Sequence, residues 1–193
     1  QNTCDWNRIE TLWERVRRAA VAGGQASLSP FSALSMPTSA AAQLALTTAW
    51  AAGRFSIYSA GRSRLGYDFS ARQRRDRLRV GYLSWDFHKH ATAYLIAELF
   101  ELHDRRRFEI AAYSYGPDDG SAIRTRIRNA CERFADIAGE SYLAAAQRIY
   151  RDEVDILVDL KGYTIGARTP IVALRPAPVQ VNWLGYPGTM GMD

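Results

Sequence analysis

From residue 78 onward, short apolar runs alternate with amphipathic segments, and this alternation restricts the fold more than any other feature of the chain. The runs are Leu78–Ser84, Phe108–Tyr115, Phe134–Ile137, Val154–Leu160 and Val179–Leu184. Between them lie Thr92–His103, Ser121–Arg133, Ser141–Arg151 and Thr169–Leu174. In the first of these, Leu95, Ile96, Leu99, Phe100 and Leu102 make one apolar helical face. A parallel strand can be reached only by a crossover, so strands alternating with helices predict an α/β fold with a parallel sheet and helices on its faces. In such sheets ligands bind outside the carboxyl ends of the strands. Three segments arrive there: Trp85–His90, Asp159–Thr164 and Leu184–Thr189.

The chain before residue 78 has another character. Residues 5–22 read as an amphipathic helix capped by Asp5, and residues 25–38 as a Ser/Pro-rich loop. Alanine-rich residues 39–52 predict a second helix ending near Gly53. Residues 54–77 read as a polar, basic linker. The domain organisation expected is therefore a helical connector over 1–53, a linker over 54–77 and an α/β lobe over 78–193. At 193 residues, 47% of them hydrophobic, the chain suits one domain with a small appendage.

No apolar run approaches the roughly 20 residues of a membrane span, and the charged N-terminus is no secretory signal. Cys4 and Cys131 are far apart and match no metal or redox spacing, which points to reduced thiols and a cytoplasmic setting. The net charge is +5, and 23 of the 25 basic residues are arginine. Seven of them (62, 64, 72, 74, 75, 77 and 79) crowd one stretch. A solvated linker is favoured there over a nucleic-acid surface, because no nucleic-acid motif is present.

Several residues carry candidate chemistry. His88 and His90 share the turn after the first strand, but His103 is the only other histidine, so a metal site is disfavoured. Histidine suits proton transfer near neutral pH. Asp86, Asp155 and Asp159 lie at or near strand ends; Asp159 is at the end that faces the cleft, where it either meets ligand or caps the next turn. KGYT (161–164) and GYPGT (185–189) bring small residues and backbone amides beside any ligand, though neither is a P-loop. Arg168 and Arg175 either pair with a diphosphate or brace the glycine loop.

Four stretches together carry a resemblance: RVGYLSWDFHKHATAYL (79–95), PDDGSAIRTRI (117–127), DILVDLKGYTIGAR (155–168) and LRPAPVQVNWLGYPGTMGMD (174–193). The sequence resembles the catalytic region of the O-linked N-acetylglucosamine transferases, glycosyltransferase family 41, in a bacterial-type form. CDWNRIETLWERV (4–16) is similar to the helices that join that family's tetratricopeptide repeats to its catalytic core. The resemblance implies a Rossmann-like sheet, the amino-terminal lobe of a GT-B glycosyltransferase, with the donor-binding second lobe outside this chain. It implies an inverting transfer of N-acetylglucosamine from UDP-GlcNAc to serine or threonine hydroxyls of acceptor proteins or peptides. No metal or other cofactor is implied, and the isolated chain is expected to be inactive. A related transferase with another donor sugar, such as fucose, is the alternative.

Residue by residue, the resemblance makes His90 the candidate general base. It places Thr164, Leu184, Gly185, Tyr186 and Pro187 at the sugar pocket and Lys161 near the acceptor; Asp159, at the cleft end of its strand, is the further candidate binding residue. Lys161 stands where animal members have asparagine, Tyr94 where they have a second histidine and His88 where they have glycine. His88 is therefore read as a neighbour of the site.

Overall fold

The computed structural model describes residues 7–21, 28–73 and 75–192. Its described residues form two compact units, Ile57–Pro187 and Gln1–Ser56 with Gly188–Asp193.

The first unit carries the sheet. Its strands are β1 (Leu78–Ser84), β2 (Phe108–Ser114), β3 (Arg133–Asp136), β4 (Ile156–Asp159) and β5 (Val179–Asn182). All pair in parallel, in the order β3-β2-β1-β4-β5. The chain thus winds outward from β1 in one direction, then returns to place β4 on the other side. A switch point opens between the carboxyl ends of β1 and β4.

The pleat explains the two-sided core. Val80 and Tyr82 of β1, with Ile110 and Ala112 of β2, pack under Ile96, Ala97 and Phe100 on one face. Leu83, Ala111 and Tyr113 point to the other, against Ala145, Ala146, Ile149 and Ile171. Gly81 sits where a Cβ would come 2.9 Å from the Tyr113 ring and 3.0 Å from Val154, so the second face closes over a missing side chain. The covering helices are α4 (Ala91–Leu102), α5 (Ala122–Asn129), α6 (Tyr142–Arg151) and α7 (Thr169–Ala173), counted after three earlier ones.

Helix ends follow local chemistry. Ser121 and Ser141 cap α5 and α6 by accepting from Arg124 N and Ala144 N. Helix α5 stops well short of the expected Arg133. Beyond it, Glu132 turns back to accept from Ile110 N at 2.9 Å and to meet Arg77 and Arg105, which draws the chain into β3.

The second unit is helical: α1 (Ile9–Val21), α2 (Pro30–Ala33) and the first part of α3 (Ala40–Gly61). The Asp5 cap expected for α1 lies outside the described residues. The expected loop over 25–38 contains the single turn α2, started by Ser29, which accepts from Ser32 N, and by Pro30. Ser39 accepts from Ala42 N at 3.2 Å to start α3.

Helix α3 does not end near Gly53. A Cβ at Gly53 would have nothing within 4 Å, no proline follows, and the helix runs on to Gly61. A short 3₁₀ turn (Arg62–Leu65) follows and closes on Gly66, which adopts φ +62°.

Four arginines of the basic stretch pair with the sheet and its loops. Arg72 donates to Val154 O at 2.7 Å, and Arg75 reaches Glu153 and Asp155. Arg77 reaches Phe108 O and Glu132, and Arg79 reaches Glu109 and Glu153. Asp155 accepts from Arg79 N at 2.8 Å. These bonds strap the chain across the amino-terminal edge of the sheet, opposite the ligand end.

Candidate functional site

The carboxyl edge carries a polar row fixed by register. Ser84 stands opposite Ser114 and Ser114 opposite Asp136; Asp159 stands between Leu83 and Asn182. Every loop leaving this edge starts from that row.

At the switch point, the β1–α4 turn meets the β4–α7 loop. Asp86 is buried, and its Oδ1 lies 3.1 Å from Lys161 Nζ. Its Oδ2 lies 3.7 Å from His90 Nδ1. One carboxylate therefore pairs with the lysine of one loop and stands beside the histidine of the other. Lys161 Nζ also lies 5.9 Å from the centre of the Trp85 ring, and His88 packs edge-on to Trp85 at 4.7 Å.

His90 is the N-cap of α4: its Nδ1 accepts from Thr92 N at 3.2 Å. A neutral ring that accepts at Nδ1 carries its proton at Nε2. The imidazole is partly exposed, with a side-chain exposure of 40%, so the outward nitrogen can reach a ligand.

Asp159 is buried and faces its own loop, accepting from Lys161 N at 3.0 Å and Gly162 N at 3.1 Å. Of its two sequence readings, the structure shows the turn cap. Burial raises its pKa to about 6, against the two amides and Lys161, which lower it. Thr164 donates its hydroxyl to Lys161 O at 2.9 Å and closes the same turn.

The loop after β5 locks against this one. Gly162 has φ +53°, and a Cβ there would meet Tyr186 Cβ at 2.5 Å. At Gly185 a Cβ would stand 2.1 Å from Leu160 O. Tyr186 is buried edge-on to Tyr163 at 5.3 Å, and its carbonyl accepts from Asn182 Nδ2 at 2.9 Å. Leu184, at φ +72°, and Pro187 stand exposed beside it. The sugar-pocket residues expected from sequence are thus brought together at one loop pair.

Arg168 braces. It donates to Ile137 O at 2.7 Å and to Glu140 O, and lies over the Tyr115 and Tyr142 rings. Two residues at this edge were missed in the sequence. Arg124 is buried on α5, and Asp119 accepts from Lys89 N at 2.8 Å. Asp119 lies in a PDDG run whose residue types suit any turn, and Arg124 looks like the other arginines of its helix. Only the strand order shows which loop each faces. No cluster of three His, Cys, Asp or Glu that could hold a metal occurs among the described residues.

An α/β lobe of this winding, with polar loops at its switch point, belongs to the class that binds ligands in a crevice at the sheet's carboxyl edge. The defining sequence pattern of Glycosyl transferase family 41 matches residues 3–193, and the chain belongs to that family.

The chain is 36% identical over 200 residues to the UDP-N-acetylglucosamine–peptide N-acetylglucosaminyltransferase of Caenorhabditis elegans, covering 99% of this chain and 17% of that protein. The Arabidopsis thaliana protein named as the probable enzyme of that kind, SEC, is 42% identical over 115 residues, covering 60% of this chain and 12% of its own length. Among solved structures, the O-GlcNAc transferase of Thermobaculum terrenum, as a K341M mutant, matches with a TM-score of 0.65 and 28% identity, over 97% of this chain and 32% of that one. The chain therefore spans about a third or less of the proteins it matches.

Proposed function

We propose that this chain is the acceptor-side lobe of an inverting protein O-GlcNAc transferase, which uses UDP-GlcNAc to modify serine or threonine hydroxyls. The observation that supports this best is the meeting of His90, Lys161, Thr164 and residues 184–187 in adjoining loops of the sheet's carboxyl edge, in a chain of a family whose named relatives transfer N-acetylglucosamine to peptides. In this reading the acceptor oxygen attacks the anomeric carbon in line with the departing diphosphate. The paired loops hold the sugar and supply orientation. Lys161 works through Asp86, because its ammonium is already engaged there.

His90 has two available roles. With Nδ1 accepting from Thr92 N, Nε2–H is left to donate to a substrate oxygen and orient it. To act as base, Nε2 must be free, with the ring proton on Nδ1 facing Asp86. His90→Gln and His90→Ala in the full-length enzyme separate them. A glutamine amide can still donate, so an orienting role is partly rescued in the Gln variant and lost in the Ala variant. A base role is lost equally in both.

The whole reading is tested by incubating the full-length protein with peptides and a panel of nucleotide sugars. Transfer from UDP-GlcNAc is expected, and a preference for GDP-fucose would overturn the donor assignment.

A further inference from the structure

The segment PDDGSAIR (117–124) has no part in the chemistry above, yet it grips the turn that carries His90 from two sides. On one side Arg124 Nη1 donates to Phe87 O at 2.9 Å. On the other, Lys89 N donates to Asp119 Oδ2 at 2.8 Å. The two bonds flank His88, the middle residue of the turn. Nearby, Tyr115 N donates to Ser84 O at 3.0 Å, and a Cβ at Gly116 would stand 1.8 Å from Trp85 O, so the backbones run in contact up to the grip.

The gripping residues are themselves fixed. Arg124 also reaches Ser114 Oγ at 3.0 Å, Asp118 at 3.1 Å and Asp136 at 3.4 Å, and lies over the Phe134 ring. Asp119 Oδ1 accepts from Ser121 N, the cap of α5. These amide and hydroxyl donors hold the Asp119 carboxyl down at about 2, so it is a full anion at working pH. Asp86 and Phe87 anchor the start of the turn, through Lys161 and the Phe100 and Phe134 rings, but His88 itself is held less well. His88 Nε2 is buried with no hydrogen-bond partner among the described residues, a cost that bonds elsewhere must offset.

We propose that Asp119 and Arg124 are positioning residues, which set the place of His90 by holding the backbone on either side of His88. A histidine one residue past Lys89 and three past Phe87 moves when the grips loosen, and a displacement of about 1 Å at a reacting group costs up to a hundredfold in rate. This rests on His90 having the role proposed above, so the test needs a readout independent of transfer.

Asp119 is the residue to change, because its side chain lies at the surface and its loss leaves the core intact. The full-length protein and its Asp119→Ala and Asp119→Asn variants would be compared by hydrogen exchange over the 86–90 peptide, by thermal unfolding and by transfer kinetics. For Asp119→Ala we expect faster exchange in that peptide, only a small fall in melting temperature and a kcat lower by roughly tenfold with little change in KM. Asp119→Asn keeps an acceptor oxygen and should recover part of both effects. Unchanged exchange, or faster exchange with unchanged kcat, overturns the proposal. If the wild-type protein transfers no sugar, the functional reading fails, and the exchange data alone decide whether the grip exists.

Discussion

Two glycines show how much of the site depends on absent atoms. Gly185 lets the loop after β5 pass within a Cβ's 2.1 Å of Leu160 O, and Gly162 gives Tyr186 the space its own side chain would fill. A methyl group at Gly185 meets backbone, which cannot rotate aside. Gly185→Ala is therefore expected to lower stability by about 1–3 kcal/mol, read from urea unfolding midpoints. Gly162→Ala adds the strain of φ +53° to a clash at 2.5 Å and should cost at least as much. The double variant should lose less than the sum, because either change alone opens the same interlock.

At the scale of elements, the arginines of residues 72–79 serve the sheet. Asp155 takes a backbone amide from Arg79 and a guanidinium from Arg75, with Arg72 at 3.8 Å. Asp155→Ala would strand these partly buried donors, and unfolding should show a loss of about 1–3 kcal/mol. The strands and helices from residue 78 on were legible in the sequence because burial on two faces gives apolar runs, and crossovers give helical periods. Their ends were less legible: Leu157 and Val158 belong to β4, while Val154 and Leu160, equally apolar, lie outside it. The strap was illegible, since its partners are 30 to 82 residues away and charge composition does not encode pairing. The same limit separates His90 from Arg124. The histidine stands out by residue type and by its turn, whereas Arg124 differs from Arg126 and Arg128 only in which way it faces. Arg124 is buried, while Arg126 pairs with Glu101 at the surface.

Across the whole molecule, Asp159 links the site to stability. Its carboxyl titrates near 6 in the folded chain, against 3.8 when free, because burial penalises the anion more than two amides and Lys161 support it. Between those two values the folded state holds a proton that the unfolded state has released. Stability from this group therefore falls as pH rises from about 4 to about 6, and stays level above. Other carboxyls slope the opposite way: Glu132 and Asp119 are lowered, and their contributions are lost as pH falls. The raw pH profile mixes both trends, so the informative quantity is the difference between wild type and Asp159→Asn. The amide keeps one acceptor for the 161–162 turn and carries no charge, so it holds the loop without the titration. Relative to wild type, Asp159→Asn should gain stability as pH rises through 4 to 6, by a few kcal/mol at most, measured by urea unfolding at fixed ionic strength. A flat difference would mean that Asp159 is ionised in the folded chain throughout that range, and that Lys161 and the two loop amides outweigh its burial.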